Sequence, residues 1–545
     1  MKCEIHKHHI YVKTPFHMKD YVKHTLNGVW TPNKQMYRFP LNIHCLRELY
    51  TAFPDLQDNP EFVNAGRKLR VQMDRLLDIK RKEDTDGNPE LRPYQRVDVE
   101  YLKELPYAGV FNEPRTGKTP TVITLMQELE TVRNIIIVPS GLVLNWAKEF
   151  EKWYPEIHVF PVQGTPKKRE NIYQAFDVYC NDGMPSVLII SKDTLKGSKD
   201  LPIVSALEYD FCAVDEAHFL RNHNSQQSKA VYTIGKASKR RYAMTGTPAM
   251  KDSTDLYGIL HFLDPEKYSS YWQFIDRYFE QFEGRFAREI GNIKPNRKKE
   301  FTEMVGILST QRKREEVMSW LPEVTNIPFY VELDSKQKKL YEQMEEDFYV
   351  EDGDNMVDTP TILTQFLRLR QLCLDPRLLG FDVVGAKTKA LLEWLEDNPT
   401  TQVLIMTSFT SYFPLIEPDL KGLKIPYGRI TGKESKAEKD TAVAAFQNGE
   451  LRVMLCNIQA AGFGFTLDAA DTVIFLDKDF LPANNQQAQD RIVPTTEDRV
   501  HPINVVSFIA KGTTDERINN ILDRKISMTD YVNNGGASAI RQLLG

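Results

Sequence analysis

The sequence predicts an α/β protein with two parallel-sheet lobes, helical insertions and a small N-terminal α+β domain. Short apolar runs alternate with longer helical stretches from residue 105 and again from residue 400, the pattern of a parallel sheet covered on both faces. Residues 264–380 interrupt this alternation and are predicted to be mainly helical. The 545 residues, 41% of them hydrophobic, are enough for about three domains.

Each predicted strand is followed by polar or Gly/Pro residues. In the first lobe the expected strands are Tyr107–Phe111, Ile135–Val138, Val187–Ile190, Phe211–Val214 and Arg241–Met244. In the second lobe they are Val403–Met406, Gly428–Ile430, Val453–Cys456, Val473–Phe475 and Val505–Ile509. Open parallel sheets bind ligands at the carboxyl ends of their strands, so the polar motifs there are the candidate site.

These patterns divide the chain into five predicted parts. They are an N-terminal domain (residues 1–85), a first lobe (86–265), helical protrusions with a linker (266–382), a second lobe (383–530) and a C-terminal tail (531–545).

Composition excludes several classes of protein. No apolar stretch reaches the roughly 18 residues that span a bilayer, and the N-terminus lacks a signal-peptide core, so a cytoplasmic protein without a membrane partner is expected. Six dispersed cysteines without CxxC spacing predict neither structural zinc nor a disulfide framework. A net charge of −5 disfavours indiscriminate polyanion binding, but residues 1–50 and 67–82 are locally basic. The second basic segment also fits a solvated helix face.

A candidate phosphate-binding loop, EPRTGKT at residues 113–119, follows the first predicted strand. In such a loop, backbone N–H groups wrap the phosphates, a lysine reaches the β/γ oxygens and a hydroxyl binds Mg²⁺. Asn112 and Arg115 depart from the commonest form of this loop, and an ordinary glycine turn is the alternative. The candidate nucleotide-binding residues here are Thr116, Gly117, Lys118 and Thr119, of which Thr119 is also a candidate Mg²⁺ ligand.

Two adjacent carboxylates, Asp215 and Glu216, follow the buried strand that ends at Val214. One carboxylate can hold the metal and the other can orient water, so we assign Asp215 to Mg²⁺ and Glu216 to water activation. His218 is interpreted as a packing or coupling residue, because Glu216 already supplies the base. The loop and this acidic box together predict hydrolysis of a nucleoside triphosphate.

The ordered motifs resemble helicase superfamily 2, and within it the Swi/Snf-type DNA translocases, over residues 91–530. LRPYQ at 91–95 resembles the adenine-recognising motif, which implies that Arg92 and Gln95 contact the nucleotide. TGTP at 245–248 resembles the coupling motif, which implies coupling roles for Thr245, Gly246 and Thr247. RKREEV at 312–317 and LRQLCLDP at 369–376 are similar to signatures of the helical protrusions. The resemblance implies two RecA-like lobes, ATP with Mg²⁺, and double-stranded DNA as partner.

The same resemblance implies further contacts. The expected nucleic-acid-binding residues are Pro139, Ser140, Asn145, Ser191, Thr407, Ser408 and Thr466. CNIQAAGFGFTLDAAD at 456–471 resembles a glycine-rich motif near DNA and nucleotide, which adds Gly464 and Asp468 to the nucleotide site. QAQDR at 487–491 resembles the motif that supplies arginine fingers across the cleft, which implies a catalytic Arg491. The family's second arginine is replaced by Pro494, and we expect Arg499 to share its role.

An aromatic hairpin is predicted within residues 24–45, with a Pro-Asn-Lys turn between two runs. It resembles the substrate-recognition hairpin of the annealing-helicase branch, which implies DNA contacts by Trp30 and Arg38. The alternative is a small hairpin whose aromatic side chains form its own core.

The function expected from these motifs is that of an ATP-dependent double-stranded DNA translocase. It would act as a monomer in a bacterial or phage-infected cell, remodelling branched DNA or displacing bound proteins. Two alternatives are an RNA helicase of the DEAH-box class and a nucleic-acid-binding scaffold with a weakened ATPase.

Overall fold

The computed structural model describes residues 1–197, 199–248, 253–283, 288–321, 323–352, 355–359, 361–459, 465–494 and 501–523. The chain forms two compact units, residues 1–317 and 318–545. Within the described ranges, no helix has both the length and the apolar character needed to cross a membrane. The predicted tail, residues 531–545, lies outside the described residues.

The first unit begins with a four-stranded antiparallel sheet and three helices. The elements are β1 (Cys3–His6), β2 (His9–Val12), α1 (Lys19–His24), β3 (Val29–Thr31), β4 (Met36–Pro40), α2 (Ile43–Ala52) and α3 (Pro60–Lys80), and the strand order is β1-β2-β4-β3. β3 and β4 form the predicted hairpin, with Trp30 opposite Tyr37. The side chains of Asn42 and Asn59 cap α2 and α3 by accepting backbone N–H groups, which fixes where both helices begin.

Helix α3 contributes to two hydrophobic cores. Its residue Leu69 packs against the core of the N-terminal sheet, whereas Leu76 and Ile79 lie in the core of the first lobe. At its end, Lys80 donates hydrogen bonds to the carbonyls of Gly306 and Ser309. The N-terminal domain is therefore joined to the first lobe through one continuous helix.

The first lobe is a seven-stranded parallel sheet with helices on both faces. Its elements are α4 (Pro93–Lys103), β5 (Tyr107–Val110), α5 (Lys118–Glu128), β6 (Arg133–Val138), α6 (Val143–Trp153), β7 (His158–Pro161), α7 (Pro166–Asn181), β8 (Ser186–Ser191), α8 (Lys192–Leu195), α9 (Asp200–Ala206), β9 (Tyr209–Val214), α10 (Gln226–Lys236), β10 (Ser238–Met244) and α11 (Leu256–Leu263). An insertion then adds α12 (Tyr271–Tyr278), β11 (Phe279–Glu283), β12 (Arg288–Ile293), α13 (Lys298–Leu308), β13 (Ser309–Thr310) and α14 (Arg314–Val317). The strand order is β13-β5-β10-β9-β6-β8-β7.

The five strands predicted for this lobe are confirmed, as β5, β6, β8, β9 and β10. These strands could be predicted from the sequence because strands of a parallel sheet are buried on both faces and so form continuous apolar runs. Every residue of β8 is buried, for example. The edge strands β7 and β13 and the antiparallel pair β11–β12 were not predicted.

The second unit contains a six-stranded parallel sheet. Its elements are β14 (Val324–Val331), α15 (Ser335–Asp347), β15 (Tyr349–Asp352), β16 (Asn355–Asp358), α16 (Ile362–Leu374), α17 (Ala386–Asp397), β17 (Val403–Thr407), α18 (Phe413–Gly422), β18 (Tyr427–Ile430), α19 (Lys436–Gln447), β19 (Val453–Asn457), β20 (Thr472–Phe475), α20 (Pro482–Gln489), β21 (Ile503–Ala510) and α21 (Thr514–Asp523). The order is β14-β21-β20-β17-β19-β18. The five predicted strands are confirmed, and β14 adds an edge strand in a region predicted to be helical. The predicted fold class is confirmed.

Candidate active site

The predicted phosphate, metal and coupling residues of the first lobe lie at one edge of its sheet. The phosphate loop follows β5, the acidic box follows β9, and residues 245–247 follow β10, which pairs with both. Because neighbouring strands lie about 4.8 Å apart, the loop and the acidic box are separated by about 10 Å at the strand ends. That gap is wide enough for phosphate oxygens and a metal ion.

The phosphate loop turns into α5 at Gly117, whose φ is +74°. A Cβ at this position would lie 2.0 Å from the Gln95 amide nitrogen, so both the backbone angle and the space require glycine. The first N–H groups of α5 have no partner within the helix and can bind an anion. Lys118 Nζ donates to the carbonyls of Asn112 (2.9 Å) and Glu113 (3.1 Å), so its ammonium lies on the loop.

Gln95 holds the phosphate loop in place through hydrogen bonds to its backbone carbonyls. Its amide nitrogen donates to the carbonyls of Thr116 (3.1 Å) and Gly117 (3.3 Å), and its amide oxygen accepts the Arg92 backbone N–H (2.8 Å). The Tyr94 hydroxyl also donates to the Thr116 carbonyl (2.9 Å). Gln95 is buried, so this structure shows a loop-positioning role, and base recognition by Gln95 and Arg92 stays a prediction.

Asn112, an unusual residue for this loop, has a structural explanation. It is fully buried, and its amide donates to Asp98 Oδ2 (2.8 Å), while Arg312 Nη2 lies 2.8 Å from Asp98 Oδ1. Burial raises the pKa of the Asp98 carboxyl, and Arg312 opposes that shift. The backbone N–H of Glu113 also donates to the Arg312 carbonyl (2.9 Å). Asn112 thus fastens the start of the loop to Asp98 of α4, and Asp98 and the Glu113 N–H both bind Arg312 in the segment after β13.

Asp215 is held by two hydrogen bonds in the acidic box. Its Oδ2 accepts the indole N–H of Trp146 (2.9 Å), and its Oδ1 accepts the backbone N–H of Glu216 (2.8 Å). Burial and the neighbouring Glu216 charge raise the pKa of Asp215 to about 6, and the Trp146 bond opposes that rise. The sequence motifs did not predict this bond from Trp146.

His218 connects the acidic box to the coupling residues. Its Nδ1 lies 3.2 Å from Glu216 Oε2 and 3.4 Å from Thr245 Oγ1. Glu216 has φ +49°, a left-handed conformation that costs a non-glycine residue about 1–3 kcal/mol. Gly246 packs so closely that a Cβ there would lie 2.7 Å from Pro114 Cδ in the phosphate loop. Thr247 donates its N–H to Thr245 Oγ1 (3.1 Å), so the three coupling residues form one turn between loop and acidic box.

The donor atoms fit the predicted metal. Thr119 stands in the first turn of α5 and Asp215 directly follows β9, and hydroxyl and carboxylate oxygens are the hard ligands that Mg²⁺ takes together with substrate phosphates. Among the described residues, no group of three His, Cys, Asp or Glu side chains could hold a metal ion, so the Mg²⁺ here would depend on substrate phosphates for further ligands.

The predicted DNA-binding residues of the first lobe differ in exposure. Ser140 and Asn145 are exposed, and Pro139 is partly buried. Ser191 is buried and caps α8, because its hydroxyl accepts the Thr194 N–H (3.0 Å).

In the second lobe, Thr407 is fully buried and its hydroxyl donates to Asp477, so a direct contact of that side chain with DNA would need the packing to open. Ser408 donates its N–H to the same carboxylate (3.0 Å). Arg370, from the LRQLCLDP signature, completes the group through a buried 2.8 Å ion pair with Asp477 Oδ2.

Arg491 lies beside the predicted glycine-rich motif. Its Nη1 donates to the Phe465 carbonyl (3.1 Å), and its own carbonyl accepts the Leu467 N–H (2.8 Å), which places it against the chain around Thr466. Asp468 is buried and accepts the Gln447 amide (2.7 Å). The predicted residues Gly464 and Arg499 lie outside the described residues.

The aromatic side chains of the N-terminal hairpin contribute in part to the domain's own core, and DNA contact by Trp30 and Arg38 stays a prediction. Tyr37 and Phe39 are buried in the domain core, whereas Trp30 is 50% exposed and touches Tyr37 edge-on at 5.0 Å between ring centroids. Arg38 reaches across to Gln273 of α12 (3.3 Å).

Two family models match the chain. A SNF2-related domain matches residues 94–378, more than half of the chain, and a helicase conserved C-terminal domain matches residues 386–493. The chain therefore belongs to the SNF2-related family. It is an SNF2-type member of helicase superfamily 2, and the alternative of a DEAH-box RNA helicase is not supported.

The individual relatives have low sequence identity to this chain. An uncharacterized ATP-dependent helicase of Mycoplasma genitalium is 27% identical over 456 residues, covering 80% of this chain and 41% of its own length. The protein CHROMATIN REMODELING 19 of Arabidopsis thaliana is 23% identical over 594 residues, covering 90% and 75%. The SWI2/SNF2 ATPase core of Sulfolobus solfataricus, solved with double-stranded DNA, aligns over 84% of this chain and 96% of that one, at 23% identity and a TM-score of 0.38. The chain thus spans less than half the length of the Mycoplasma relative.

Proposed function

We propose that this protein is an ATP-dependent double-stranded DNA translocase that remodels branched DNA or displaces bound proteins. The observation that carries the proposal is the meeting of three motifs at one sheet edge. The turn at 245–247 contacts Pro114 in the Lys118 loop, and it contacts His218, which in turn lies against Glu216 of the Asp215-Glu216 box. A turn in that position can transmit the state of the nucleotide to the rest of the motor.

Each residue has a specific task in this scheme. The N–H groups at the start of α5 and the Lys118 ammonium bind the phosphates, and Lys118 leaves the two loop carbonyls to do so. Thr119 and Asp215 would hold Mg²⁺, which neutralises phosphate charge when bound. Glu216 orients the attacking water, and its bond to His218 fixes the carboxylate. Arg491, with Arg499, supplies further positive charge, and an Arg499→Ala protein with full activity would rule Arg499 out.

The DNA part of the proposal rests on exposed polar groups and on the family. Ser140 and Asn145 offer a hydroxyl and an amide, groups suited to tracking along phosphates without reading bases. Membership of the SNF2-related family and the likeness to the protein CHROMATIN REMODELING 19 make DNA the expected track. The half-exposed Trp30 on the attached N-terminal domain supports a preference for branched over linear DNA.

The decisive measurement is the rate of ATP hydrolysis with linear duplex, a fork, a four-way junction, single-stranded DNA and single-stranded RNA. We expect stimulation by duplex DNA, the highest rates on branched DNA and none by RNA. Glu216→Gln should abolish hydrolysis, whereas Glu208→Gln, an exposed carboxylate just before β9, should not. Stimulation by RNA alone would refute the DNA assignment.

The remaining alternative, a scaffold with a weakened ATPase, makes the opposite prediction. It is motivated by three unusual residues, Pro494, Asn112 and Arg115, and of these the structure shows Asn112 as a buried anchor of the loop. If Glu216→Gln hydrolyses ATP as fast as the unaltered protein, the measured activity is not that of this site and the scaffold is favoured.

A further inference from the structure

A large cleft separates the N-terminal domain from the insertion of the first lobe. Its volume is about 1110 Å³, above the roughly 300–1,000 Å³ of a small-ligand pocket, so it has room for a short polymer. One wall comes from α1 and the β3–β4 hairpin, and the other from α12 with the flanking residues Lys267, Tyr268, Ser270, Gln281, Arg288 and Lys294. It is remote in sequence from the nucleotide-binding motifs.

The cleft is strongly basic. Eight Lys and Arg side chains line it, against one carboxylate, Asp276, whose Oδ1 accepts the Gln281 amide (2.8 Å). Within the described ranges, no ion pair neutralises Lys13, Lys19, Lys23 or Lys267. Burial lowers the pKa of Lys267, and the charges of Asp264 and Glu300 oppose that shift. An anionic ligand would supply the missing charge.

Exposed aromatic rings border the same cleft. Phe16 is 87% exposed and Trp30 is 50% exposed, and both line it. Lys19 Nζ lies 6.0 Å from the centre of the Phe16 ring. Aromatic faces beside unpaired cations are the arrangement by which proteins bind unpaired nucleic-acid strands, with bases stacked and phosphates neutralised. A double helix hides its base faces, so it would leave these rings unused.

The two walls are locked together by a buried charge network. Arg277 of α12 makes a bidentate pair with Glu300 of α13 (both bonds 2.9 Å). Arg297 pairs with Glu300 (3.2 Å) and with Glu48 of α2, and it donates to the Thr25 carbonyl (3.1 Å). The network crosses from the insertion to the N-terminal domain, so the cleft is preformed and its width is fixed.

We propose that this cleft binds an unpaired DNA strand a few nucleotides long, with phosphates on its lysines and bases on Trp30 and Phe16. The proposal rests on the proposed function for its choice of DNA, and it deepens that function by naming the part of a branched substrate that the N-terminal domain holds. Binding here needs no ATP, because no residue of the nucleotide site lines the cleft.

The test measures binding of a fluorescent oligo-dT of about ten nucleotides to the full chain without nucleotide, by anisotropy over a range of salt. Trp30→Ala should weaken binding about tenfold, since stacking on an aromatic ring contributes about 1–3 kcal/mol per base. Its matched control is Tyr50→Ala, an N-terminal aromatic residue with 48% exposure that lies outside the cleft. Tyr50→Ala should bind as the unaltered protein does.

A charge variant gives a second readout. Lys19→Glu with Lys23→Glu should weaken binding and lower the slope of log K against log salt by about 0.7 per lost phosphate contact. Both lysines are exposed, so the variant should fold, and Lys68→Glu, an exposed lysine of α3 outside the cleft, is the control. Photo-crosslinking of an iodouracil-labelled oligonucleotide should map to Trp30 or Phe16.

The outcomes separate this proposal from the function it rests on. If duplex DNA stimulates ATP hydrolysis in all variants but oligo-dT binding is unchanged by Trp30→Ala and by the lysine pair, the cleft proposal is wrong and the translocase proposal stands. If the cleft binds oligo-dT but no DNA stimulates hydrolysis, the translocase proposal fails alone. Tighter binding of a polyglutamate peptide or of blunt duplex than of oligo-dT would overturn the assignment to an unpaired strand.

Discussion

Replacing Trp146 with phenylalanine removes one hydrogen bond from the acidic box and keeps an aromatic ring in the core. The bond joins the indole N–H to Asp215 Oδ2 at 2.9 Å. A hydrogen bond to a charged group contributes about 1.5–3 kcal/mol, and about 1.4 kcal/mol corresponds to a tenfold change in rate. If the bond is needed to position Asp215 during hydrolysis, the maximal rate should fall roughly tenfold to a hundredfold.

The assay is steady-state ATP hydrolysis at saturating ATP, with duplex DNA titrated. Trp153→Phe is the matched control, because Trp153 lies on the same helix and its indole N–H bonds to Glu149 Oε2 (3.2 Å), away from the acidic box. That variant should keep the normal rate. If Trp146→Phe raises only the DNA concentration needed for half-maximal stimulation and leaves the maximal rate unchanged, Trp146 grips DNA and the argument from Asp215 is refuted.

The same variant has a pH signature. Asp215 must be ionised to hold Mg²⁺, and its pKa is raised to about 6 without the metal, so protons should compete with Mg²⁺ as pH drops through 6 and hydrolysis at limiting Mg²⁺ should fall. The Trp146 N–H favours the ionised carboxylate, and its loss raises the pKa further. The acid limb of the rate profile should therefore move to higher pH in Trp146→Phe and not in Trp153→Phe.

Three further variants test the supports of the two lobes. Asn112→Ala leaves the buried Asp98 with one hydrogen-bond donor fewer, so the free energy of unfolding should fall by about 1–3 kcal/mol. ATP binding should also weaken, because the phosphate loop loses an anchor. Unchanged ATP affinity would mean that the loop does not need this hydrogen bond. Arg370→Gln leaves Asp477 buried without its ion pair and should cost roughly 3–5 kcal/mol in urea denaturation, and a loss below about 1 kcal/mol would contradict this. Burial lowers the pKa of Lys80 from 10.5 to about 8, so between pH 8 and 10.5 the unfolded chain binds more protons than the folded one. The unaltered protein should therefore gain stability relative to Lys80→Met as pH rises through this range. A constant difference in stability would show that Lys80 does not titrate there.

Much of the fold could be predicted because central parallel strands are apolar along their whole length. All ten predicted strands exist, and the polar motifs do follow them. The edge strand β14 was missed because most of its residues are exposed and its partner β21 lies far along the chain. Nothing in a local pattern signals a pairing across such a distance.

The parts of the candidate site whose chemistry requires a particular residue type could be predicted from the sequence. The hydrogen bonds that depend on how distant segments fold together could not. Gly117, Lys118 and the carboxylate pair follow from what a triphosphate needs. The bonds from Trp146 to Asp215 and from Asn112 to Asp98 join segments that only the folded sheet brings together. For the same reason the basic cleft was invisible in the sequence, since its lysines come from two segments more than two hundred residues apart.

Helix α3 bears on how this protein could have been assembled in evolution. Its 21 residues make a rod of about 30 Å, one half of which closes the small N-terminal core while the other half covers the first lobe. Loss or exchange of the N-terminal domain together with α3 would remove Leu76 and Ile79 from the core of the first lobe, and other side chains would have to fill that space. The N-terminal domain and first lobe are therefore expected to melt in a single cooperative transition and to be inherited together.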